Sequence, residues 1–337
     1  MADENNKDPF DVLGIGNAVV DVLGRIDEAF ISEHGLTKGA MALIDADRAL
    51  YLSGKLDHAQ IRSGGSAGNT IAGLAALGAS TAFFGKVADD ELGDRYREDM
   101  TGLGVHFPTA PLIDEEPTAR SIIVVTPDGE RTMNTYLGAC TRIGPVDIED
   151  DTVKAAKIVY FEGYLWDPPG AKEVLRRAAK LAHAEGNRVS ITLSDAFCVE
   201  RYRDEFRDLI VSGTVDIVFA NEAELLSLYE TTDFENALAK LGAECPLAAV
   251  TRSEKGAVIL KGDTRVDVPA LAVSEVVDAT GAGDMFAAGF LFGESRGLDP
   301  AQSAQLGCLL ASRVISAIGP RIDGDLIEIA REGGLPV

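Results

Sequence analysis

The sequence predicts an α/β protein whose parallel sheet is covered by helices on both faces. The main observation is that short apolar runs alternate with segments of helical periodicity along most of the chain. In addition, 337 residues that are 46% hydrophobic are enough for a large core in one domain or two. Two extended segments, residues 17–44 and 118–136, interrupt the alternation and predict a small separate sheet within a single domain over residues 1–337.

The predicted elements follow one another in order. Strands are expected at residues 12–15, 82–87, 157–161, 189–193 and 215–220, and helices at residues 66–77, 90–103, 171–185 and 200–211. In the helix at 171–185, Val174, Ala178 and Ala182 share one face. Residues 121–126 and 131–136 flank the turn Pro127-Asp128-Gly129, which predicts a β-hairpin.

The composition excludes several classes of function. A formal net charge of −23 repels polyanions, so we expect no binding to nucleic acid or to an anionic membrane. The start MADENNKDPF has no basic region followed by an apolar stretch, so no signal peptide is expected. The cysteines are scattered without a CxxC pair, which favours reduced thiols in the cytoplasm: Cys140, Cys198, Cys245 and Cys308.

The strongest motif is Asp-Ala-Thr-Gly-Ala-Gly-Asp at residues 278–284. An apolar strand end at Val276 and Val277 is expected to lead into this turn, and a helix is expected to begin at Met285. The start of a helix exposes free N–H groups and favours negative charge, as in phosphoryl transfer. Asp284 can then remove the proton from an attacking hydroxyl. The alternative is that Asp284 only caps the helix.

Two further Gly-rich motifs lie near the N-terminus. Residues 63–70, Ser-Gly-Gly-Ser-Ala-Gly-Asn-Thr, predict a turn that opens a helix and suits a polyhydroxylated ligand, or else an ordinary helix start. Residues 14–21 begin like a dinucleotide fingerprint, but Val19 replaces the third glycine and an extended segment follows. Asp21 can instead accept hydrogen bonds from two vicinal hydroxyls. Since no GxxxxGK[ST] motif occurs, a nucleotide site must use the turn at 281–283.

These motifs, in this order, resemble the PfkB (ribokinase-like) kinase family. The run at 278–284 resembles its C-terminal signature, and residues 64–69, with Gly85-Lys86-Val87, Asp89-Asp90 and Gly93, resemble its N-terminal signature. Asn221-Glu222-Ala223-Glu224 resembles the family's Asn-x-x-Glu motif. The resemblance implies a three-layer α/β/α sandwich with a small β-sheet lid, ATP as phosphoryl donor and Mg²⁺ as cofactor.

The resemblance also implies roles for individual residues. Asp284 matches the general base, Gly281, Ala282 and Gly283 match the anion hole, and Arg131 matches a lid arginine that approaches the phosphates. The matches to the acceptor site are Asn17, Asp21, Gly65, Ser66 and Asn69. The matches around the nucleotide are Asn221, Glu224 (on Mg²⁺ through water), Thr251 and Gly256. Asp278 and Thr280 match part of a monovalent-cation loop, so K⁺ is a possible further cofactor.

Within the family, the likeness is closest to adenosine-kinase-like members. Gly-Asn-Ala-Val-Val-Asp at 16–21 and Leu-Ser-Asp-Ala-Phe at 193–197 resemble their motifs, whereas Ala67-Gly68 departs from the Thr-Gln pair of animal adenosine kinases. The sequence thus predicts adenosine as acceptor, with a ribokinase- or fructokinase-type sugar kinase as the alternative. An inactive nucleotide-binding regulator and an NAD-dependent dehydrogenase are disfavoured. The oligomeric state is left open between a monomer and a homodimer.

Overall fold

The fold is described by a computed structural model over residues 9–337; residues 1–8, most of the segment examined for signal-peptide features, lie outside the described part. The strands found there are β1 (Phe10–Ile15), β2 (Val20–Arg25), β3 (Met41–Leu43), β4 (Gln60–Ser63), β5 (Thr81–Phe84), β6 (Arg120–Val125), β7 (Arg131–Tyr136), β8 (Ala156–Glu162), β9 (Arg188–Thr192), β10 (Ile217–Asn221), β11 (Leu247–Thr251), β12 (Ala257–Lys261) and β13 (Thr264–Val268).

The helices of the same region range from one to four turns. They are α1 (Glu28–Glu33), α2 (Ala46–Ser53), α3 (Ser66–Ala76), α4 (Glu91–Gly102), α5 (Asp150–Lys154), α6 (Pro169–Ala184), α7 (Ala196–Val211), α8 (Glu222–Leu228), α9 (Phe234–Glu244), α10 (Ala282–Arg296), α11 (Pro300–Val314) and α12 (Leu326–Glu332). No helix within residues 9–337 has the length and apolar character needed to cross a membrane.

The large sheet has eight strands in the order β13-β12-β11-β10-β9-β8-β1-β5. The six strands from β11 to β5 run parallel, and β12 and β13 add an antiparallel edge. Neighbouring residues of a strand point to opposite faces: Val12 packs in one core and Leu13 in the other. One core is built on α3, α10 and α11, and the other on α6, α7 and α9. The predicted three-layer architecture is confirmed.

A smaller sheet lies beside the first, in the order β3-β7-β6-β2-β4. The predicted hairpin is confirmed, since β6 and β7 pair antiparallel. Strand β4 belongs to this sheet but to neither predicted segment, and helix α1 lies inside the first segment. Val22 and Ile122 of one face pack with Ile31 of α1, so helices cover that face. The other face carries Asp21, which lies in register with Ser121 of β6.

Helices α10 and α11 approach each other at two glycines. A Cβ on Gly289 would lie 2.7 Å from the Gly307 amide nitrogen, and a Cβ on Gly307 would lie 2.7 Å from the Phe286 carbonyl oxygen. The two backbones are therefore in direct contact, which leaves no room for a side chain between them. This contact determines where the N-terminus of α10 lies.

One local prediction is wrong. Val276 and Val277 lie in no strand and are 58% and 43% exposed, and α10 begins at Ala282 rather than at Met285. The two valines are apolar neighbours in sequence, but the Val277 N–H donates to the Ile315 carbonyl at the end of α11 (2.8 Å) and not to a strand. They instead form part of the loop that joins β13 to α10.

We predict that Gly289→Ala destabilises the protein by about 1–3 kcal/mol, the usual cost of forcing extra atoms into a packed core. The matched control is Gly102→Ala in α4, where a Cβ meets no atom within 4 Å; there a gain of about 0.4–1 kcal/mol is expected. Urea denaturation measures both changes. Equal effects of the two substitutions would contradict the close approach of α10 and α11.

Candidate active site

The site lies at the carboxyl edge of the large parallel sheet. Strand β1 leads into Asn17, and β8, β10 and β11 end at Glu162, Asn221 and Thr251. In an open parallel sheet this edge is where ligands bind, because strand ends and helix N-termini meet there. The fold therefore brings to one edge residues that the sequence separates by more than two hundred positions.

The turn before α10 has backbone geometry that only glycine adopts easily. Gly281 caps the helix at φ +77°, and a Cβ on it would lie 2.4 Å from the Pro320 carbonyl oxygen. The Ala282 N–H donates to the Ala279 carbonyl (3.3 Å), and the first intrahelical bond runs from Met285 N–H to the Gly281 carbonyl (2.8 Å). The amides of Gly283 and Asp284 thus precede the first helical bond and suit an anion. Ala282 has its amide engaged within the turn.

The Asp284 carboxylate is held by two side chains of helix α3. Ser66 Oγ donates to one oxygen (2.6 Å) and Asn69 Nδ2 donates to the other (3.0 Å). Burial raises the pKa of Asp284 to about 6, although both hydrogen bonds and the charge of Arg321 oppose the rise. The carboxylate makes no capping bond to α10, so the helix-cap alternative is not supported. The pKa of the Asp284 carboxyl thus lies closer to neutrality than that of an exposed aspartate.

Asp21 approaches the same region from the smaller sheet. A Cβ on Gly64 would lie 2.5 Å from its carboxylate, so the backbone at 64 lies directly against it. Burial raises the pKa of Asp21 to about 7, with Arg131 and Arg321 opposing the rise. Gly65 has φ +83°, and a Cβ there would lie 2.1 Å from the Asn17 carbonyl oxygen. The loops at 17 and 64–65 are therefore packed together beside Asp21.

Glu162 joins these two loops, and the sequence analysis missed it. Its carboxylate accepts the Asn17 N–H (2.8 Å), the Asn17 Nδ2 (2.6 Å) and the Ala67 N–H (2.7 Å). It thus serves the N-terminus of α3, whose N-cap Gly65 has no side chain. Burial raises its pKa to about 7. The one signal in the sequence was an acidic residue directly after a strongly apolar strand.

Asn221 and Glu224 form a capping box at the start of α8. Asn221 Oδ1 accepts the Glu224 N–H (2.9 Å), and a Glu224 carboxylate oxygen accepts the Asn221 N–H (3.0 Å). Glu224 is buried, which raises its pKa to about 7. Thr251 pairs with Asn221 across β10 and β11. Gly256 follows at φ +89°, where a Cβ would lie 2.0 Å from the Val268 carbonyl oxygen.

Arg131 reaches from the smaller sheet to the loop before α10. Its guanidinium forms an ion pair with Asp278, which also accepts the N–H groups of Gly319 (2.8 Å) and Thr280 (3.0 Å). Among the described residues, Nε and Nη2 of Arg131 are buried and have no hydrogen-bond partner. In this conformation the Asp278 carboxylate therefore binds an arginine, and the arginine keeps donors to spare for an anion.

Aromatic side chains lie exposed near the ends of β8 and β9. Tyr164 is 39% and Phe197 is 64% exposed, which is unusual for large apolar groups. Tyr164 is fixed by two bonds, since its N–H donates to Ser194 Oγ (3.1 Å) and its hydroxyl donates to the Ser194 carbonyl (3.3 Å). Tyr164 and Phe197 thus offer exposed aromatic surface near the carboxyl ends of β8 and β9.

Comparison with known proteins identifies the family. The model of the pfkB family carbohydrate kinases matches residues 37–325. The adenosine kinase of Sinorhizobium meliloti is 56% identical, with a TM-score of 0.90, over 96% of this chain and 99% of its own. A probable sugar kinase from Rhizobium etli CFN 42 is 55% identical, with a TM-score of 0.92, over 98% of this chain and 100% of its own.

A more distant relative spans nearly the same length. The adenosine kinase of Saccharomyces cerevisiae is 26% identical over 94% of this chain and 98% of its own. The family match covers two of the three Gly-rich motifs, those at residues 63–70 and 278–284, and the second of these carries Asp284. The chain is therefore an ATP-dependent kinase that belongs to the pfkB family of carbohydrate kinases.

Proposed function

We propose that the protein transfers the γ-phosphoryl group of ATP to the 5′ hydroxyl of a nucleoside, with adenosine as the first candidate. The observation that carries the proposal is Asp284, a partly buried carboxylate at the start of α10 that is bound by Asn69 of helix α3. The similarity to an adenosine kinase at 56% identity supports the choice of acceptor.

The proposed step is an in-line displacement. The acceptor oxygen forms a bond to the γ-phosphorus, the bond from phosphorus to the β–γ bridging oxygen breaks, and ADP leaves with the electron pair. The hydroxyl proton passes to the Asp284 carboxylate, whose pKa of about 6 allows it to accept the proton. The amides of Gly283 and Asp284, together with the positive end of α10, stabilise the charge on the transferring group.

The ribosyl part of the acceptor is assigned to Asp21 and its neighbours. A carboxylate can accept hydrogen bonds from the 2′ and 3′ hydroxyls together. Asn69 and the backbone of Gly65 lie along the same edge, and Glu162 holds Asn17 and the start of α3 in place. These groups make the acceptor site rigid before the ligand arrives.

The base is assigned to the apolar surface at Tyr164 and Phe197. An aromatic platform suits a planar base better than it suits a free sugar, which favours the nucleoside over the sugar kinase alternative. The departure at Ala67 and Gly68 does not weaken this assignment. Both residues are buried, and a Cβ on Gly68 would lie 2.4 Å from the Tyr96 hydroxyl, so packing explains the glycine.

Mg²⁺ is assigned to Glu224, through water, with Asn221 beside it. Within residues 9–337, no group of three or more His, Cys, Asp or Glu side chains is arranged to hold a metal. Mg²⁺ at phosphoryl-transfer sites uses one or two carboxylates together with phosphate oxygens and water, so a single carboxylate fits an ion that arrives with ATP. The ion would neutralise phosphate charge.

A monovalent cation, K⁺ in our proposal, is assigned to the loop with Asp278 and Thr280. Asp278 is engaged by Arg131 here, so the cation and the arginine would compete for the same carboxylate. Movement of the smaller sheet as a lid would transfer Arg131 to the phosphates and release Asp278.

Four free, buried cysteines are consistent with action in the cytoplasm.

The first test is Asp284→Asn. We expect kcat to fall by about 10²–10⁴-fold while ATP still binds, because the proton acceptor is lost and the anion hole is kept. Steady-state kinetics and calorimetric titration with ATP measure the two effects. Asp263→Asn, at an exposed position, is the matched control and should behave as the wild type. A near-normal kcat in Asp284→Asn would remove the residue from its role as base.

The pH dependence should separate the two carboxylates. As the pH falls through about 6, Asp284 takes up a proton and kcat should decrease, because the base is lost. As the pH falls through about 7, Asp21 takes up a proton, and KM for the nucleoside should rise. Initial rates across this range, with folding checked by circular dichroism, test both. A kcat that is flat down to about pH 5 would contradict the assignment.

Adenosine should be preferred strongly over its deoxy analogue. A site built for both ribose hydroxyls leaves polar groups unpaired when one is missing, so kcat/KM can differ by about 10⁴-fold. Asp21→Ala should raise KM for adenosine far more than KM for ATP, whereas Asp57→Ala, at an exposed position before β4, should change neither. If free ribose or fructose exceeded every nucleoside in kcat/KM, the sugar kinase would replace the nucleoside kinase.

A further inference from the structure

The amide of Asn69 has only one orientation that satisfies both of its neighbours. On one side lies the Asp284 carboxylate, which can only accept, at 3.0 Å from Nδ2. On the other side lies the Arg321 guanidinium, which can only donate, with Nε at 3.2 Å from Oδ1. Reversal of the amide would place oxygen against carboxylate and NH₂ against guanidinium, so both contacts would become repulsive.

Arg321 is itself held from the opposite side. It lies in the segment between α11 and α12, and its Nη1 donates to Asp99 of α4 at 2.8 Å. Asp99 also accepts a hydrogen bond from the hydroxyl of Ser63, the last residue of β4 before the turn at residues 64–65. The Arg321 side chain is 18% exposed and that of Asp99 is 46% exposed. A line of contacts therefore runs from the surface through Arg321 and Asn69 to Asp284.

The charges around Asp284 make this arrangement important. Arg321 favours the ionised forms of both Asp284 and Asp21. The other titratable groups that interact with Asp284 oppose its ionisation or are neutral: Asp21 on β2, and Tyr160, Glu162 and Tyr164 on or just after β8. Arg131 and Asp278 also lie in this region, and their charges act on Asp21: Arg131 lowers the pKa of Asp21 and Asp278 raises it. Arg321 is the cation whose charge reaches Asp284 in this set.

We propose that Arg321 is a positioning residue for phosphoryl transfer, which keeps the Asn69 NH₂ group directed at the Asp284 carboxylate. The proposal rests on the role of Asp284 as base, as proposed above. Without Arg321 the amide loses the contact that determines its orientation, and the carboxylate loses both a reliable donor and a nearby positive charge. The Asp284 carboxylate then takes up a proton at a higher pH, so that near neutral pH a larger fraction of the molecules lacks the ionised base.

The competing explanation is that Arg321 only fastens the C-terminal segment to α4 through Asp99. Asp99→Asn tests it, because that change removes the ion pair and leaves the contact between Arg321 and Asn69. In Arg321→Met, kcat/KM at pH 6 should fall by roughly tenfold, with a smaller loss at pH 8, so that the acid limb moves to higher pH. In Asp99→Asn the acid limb of the pH profile should stay at its wild-type position, even if Tm falls by as much as it does in Arg321→Met.

A chemical rescue adds a readout that a purely structural role would not move. Arg321 lines a pocket of about 620 Å³, together with Ala72 and Met285, so a small cation can enter the space that its removal leaves. Guanidinium chloride at a non-denaturing concentration should restore activity at pH 6 in Arg321→Ala, and should not change Asp99→Asn. Arg321→Lys, which keeps the charge but not the planar donor, should lie between wild type and Arg321→Met.

A direct measurement separates this proposal from the proposed function. Carboxyl ¹³C NMR, with the Asp284 signal assigned by Asp284→Asn, should show a higher pKa for Asp284 in Arg321→Met than in the wild type. If Asp284→Asn retains near-normal kcat, the role as base fails, but the NMR result still decides what Arg321 does. An unmoved Asp284 pKa and acid limb in Arg321→Met, together with no rescue, would overturn the proposal.

Discussion

The site depends on one constraint: a carboxylate must stay ionised although it is buried at the start of a helix. Asp284 meets it through hydrogen bonds from Ser66 and Asn69. Each donor lies on α3, so these hydrogen bonds form only while α3 and α10 keep their relative positions. The close contact between Gly289 and Gly307 fixes α10 from behind, and Glu162 fixes the N-terminus of α3. The relative positions of α3 and α10 thereby influence the pKa of Asp284.

The site brings together four buried or partly buried carboxyl groups, Asp21, Glu162, Glu224 and Asp284, in a chain that already carries a charge of −23. Burial raises the pKa of each, which means that their ionised forms cost stability at neutral pH. Each of these carboxyl groups has its own source of stabilisation. Backbone amides serve Glu162, a capping box serves Glu224, and arginines act on Asp21 and Asp284. A cleft of this kind suits ligands that bring donors and cations with them, such as a polyhydroxylated acceptor and a metal-bound nucleotide.

In the proposed mechanism, the smaller sheet would connect acceptor binding to the phosphates. Asp21 on β2 lies against the turn at Gly64, while Arg131 on β7 reaches Asp278 in the loop before α10. Because both strands belong to one hydrogen-bonded sheet, a movement that repositions Asp21 against a ligand also displaces Arg131. Within residues 9–337, Nε and Nη2 of Arg131 are buried without a hydrogen-bond partner, so in the proposed mechanism they would bind an anion after that movement. Exclusion of water and placement of positive charge can therefore occur in a single movement.

The sequence alone predicted the α/β class and the hairpin within residues 118–136, and it marked Asp284, Asp21 and Asn69 as candidate site residues, because periodicity and Gly-rich turns are local properties of a chain. It did not reveal the loop at Val276, where two neighbouring apolar residues resemble a strand end but lie in no strand. It also did not reveal Glu162 or Arg321, which act on partners 95 to 252 positions away. Only the tertiary structure decided these contacts, because a hydrogen bond between distant segments leaves no periodic trace in either of them.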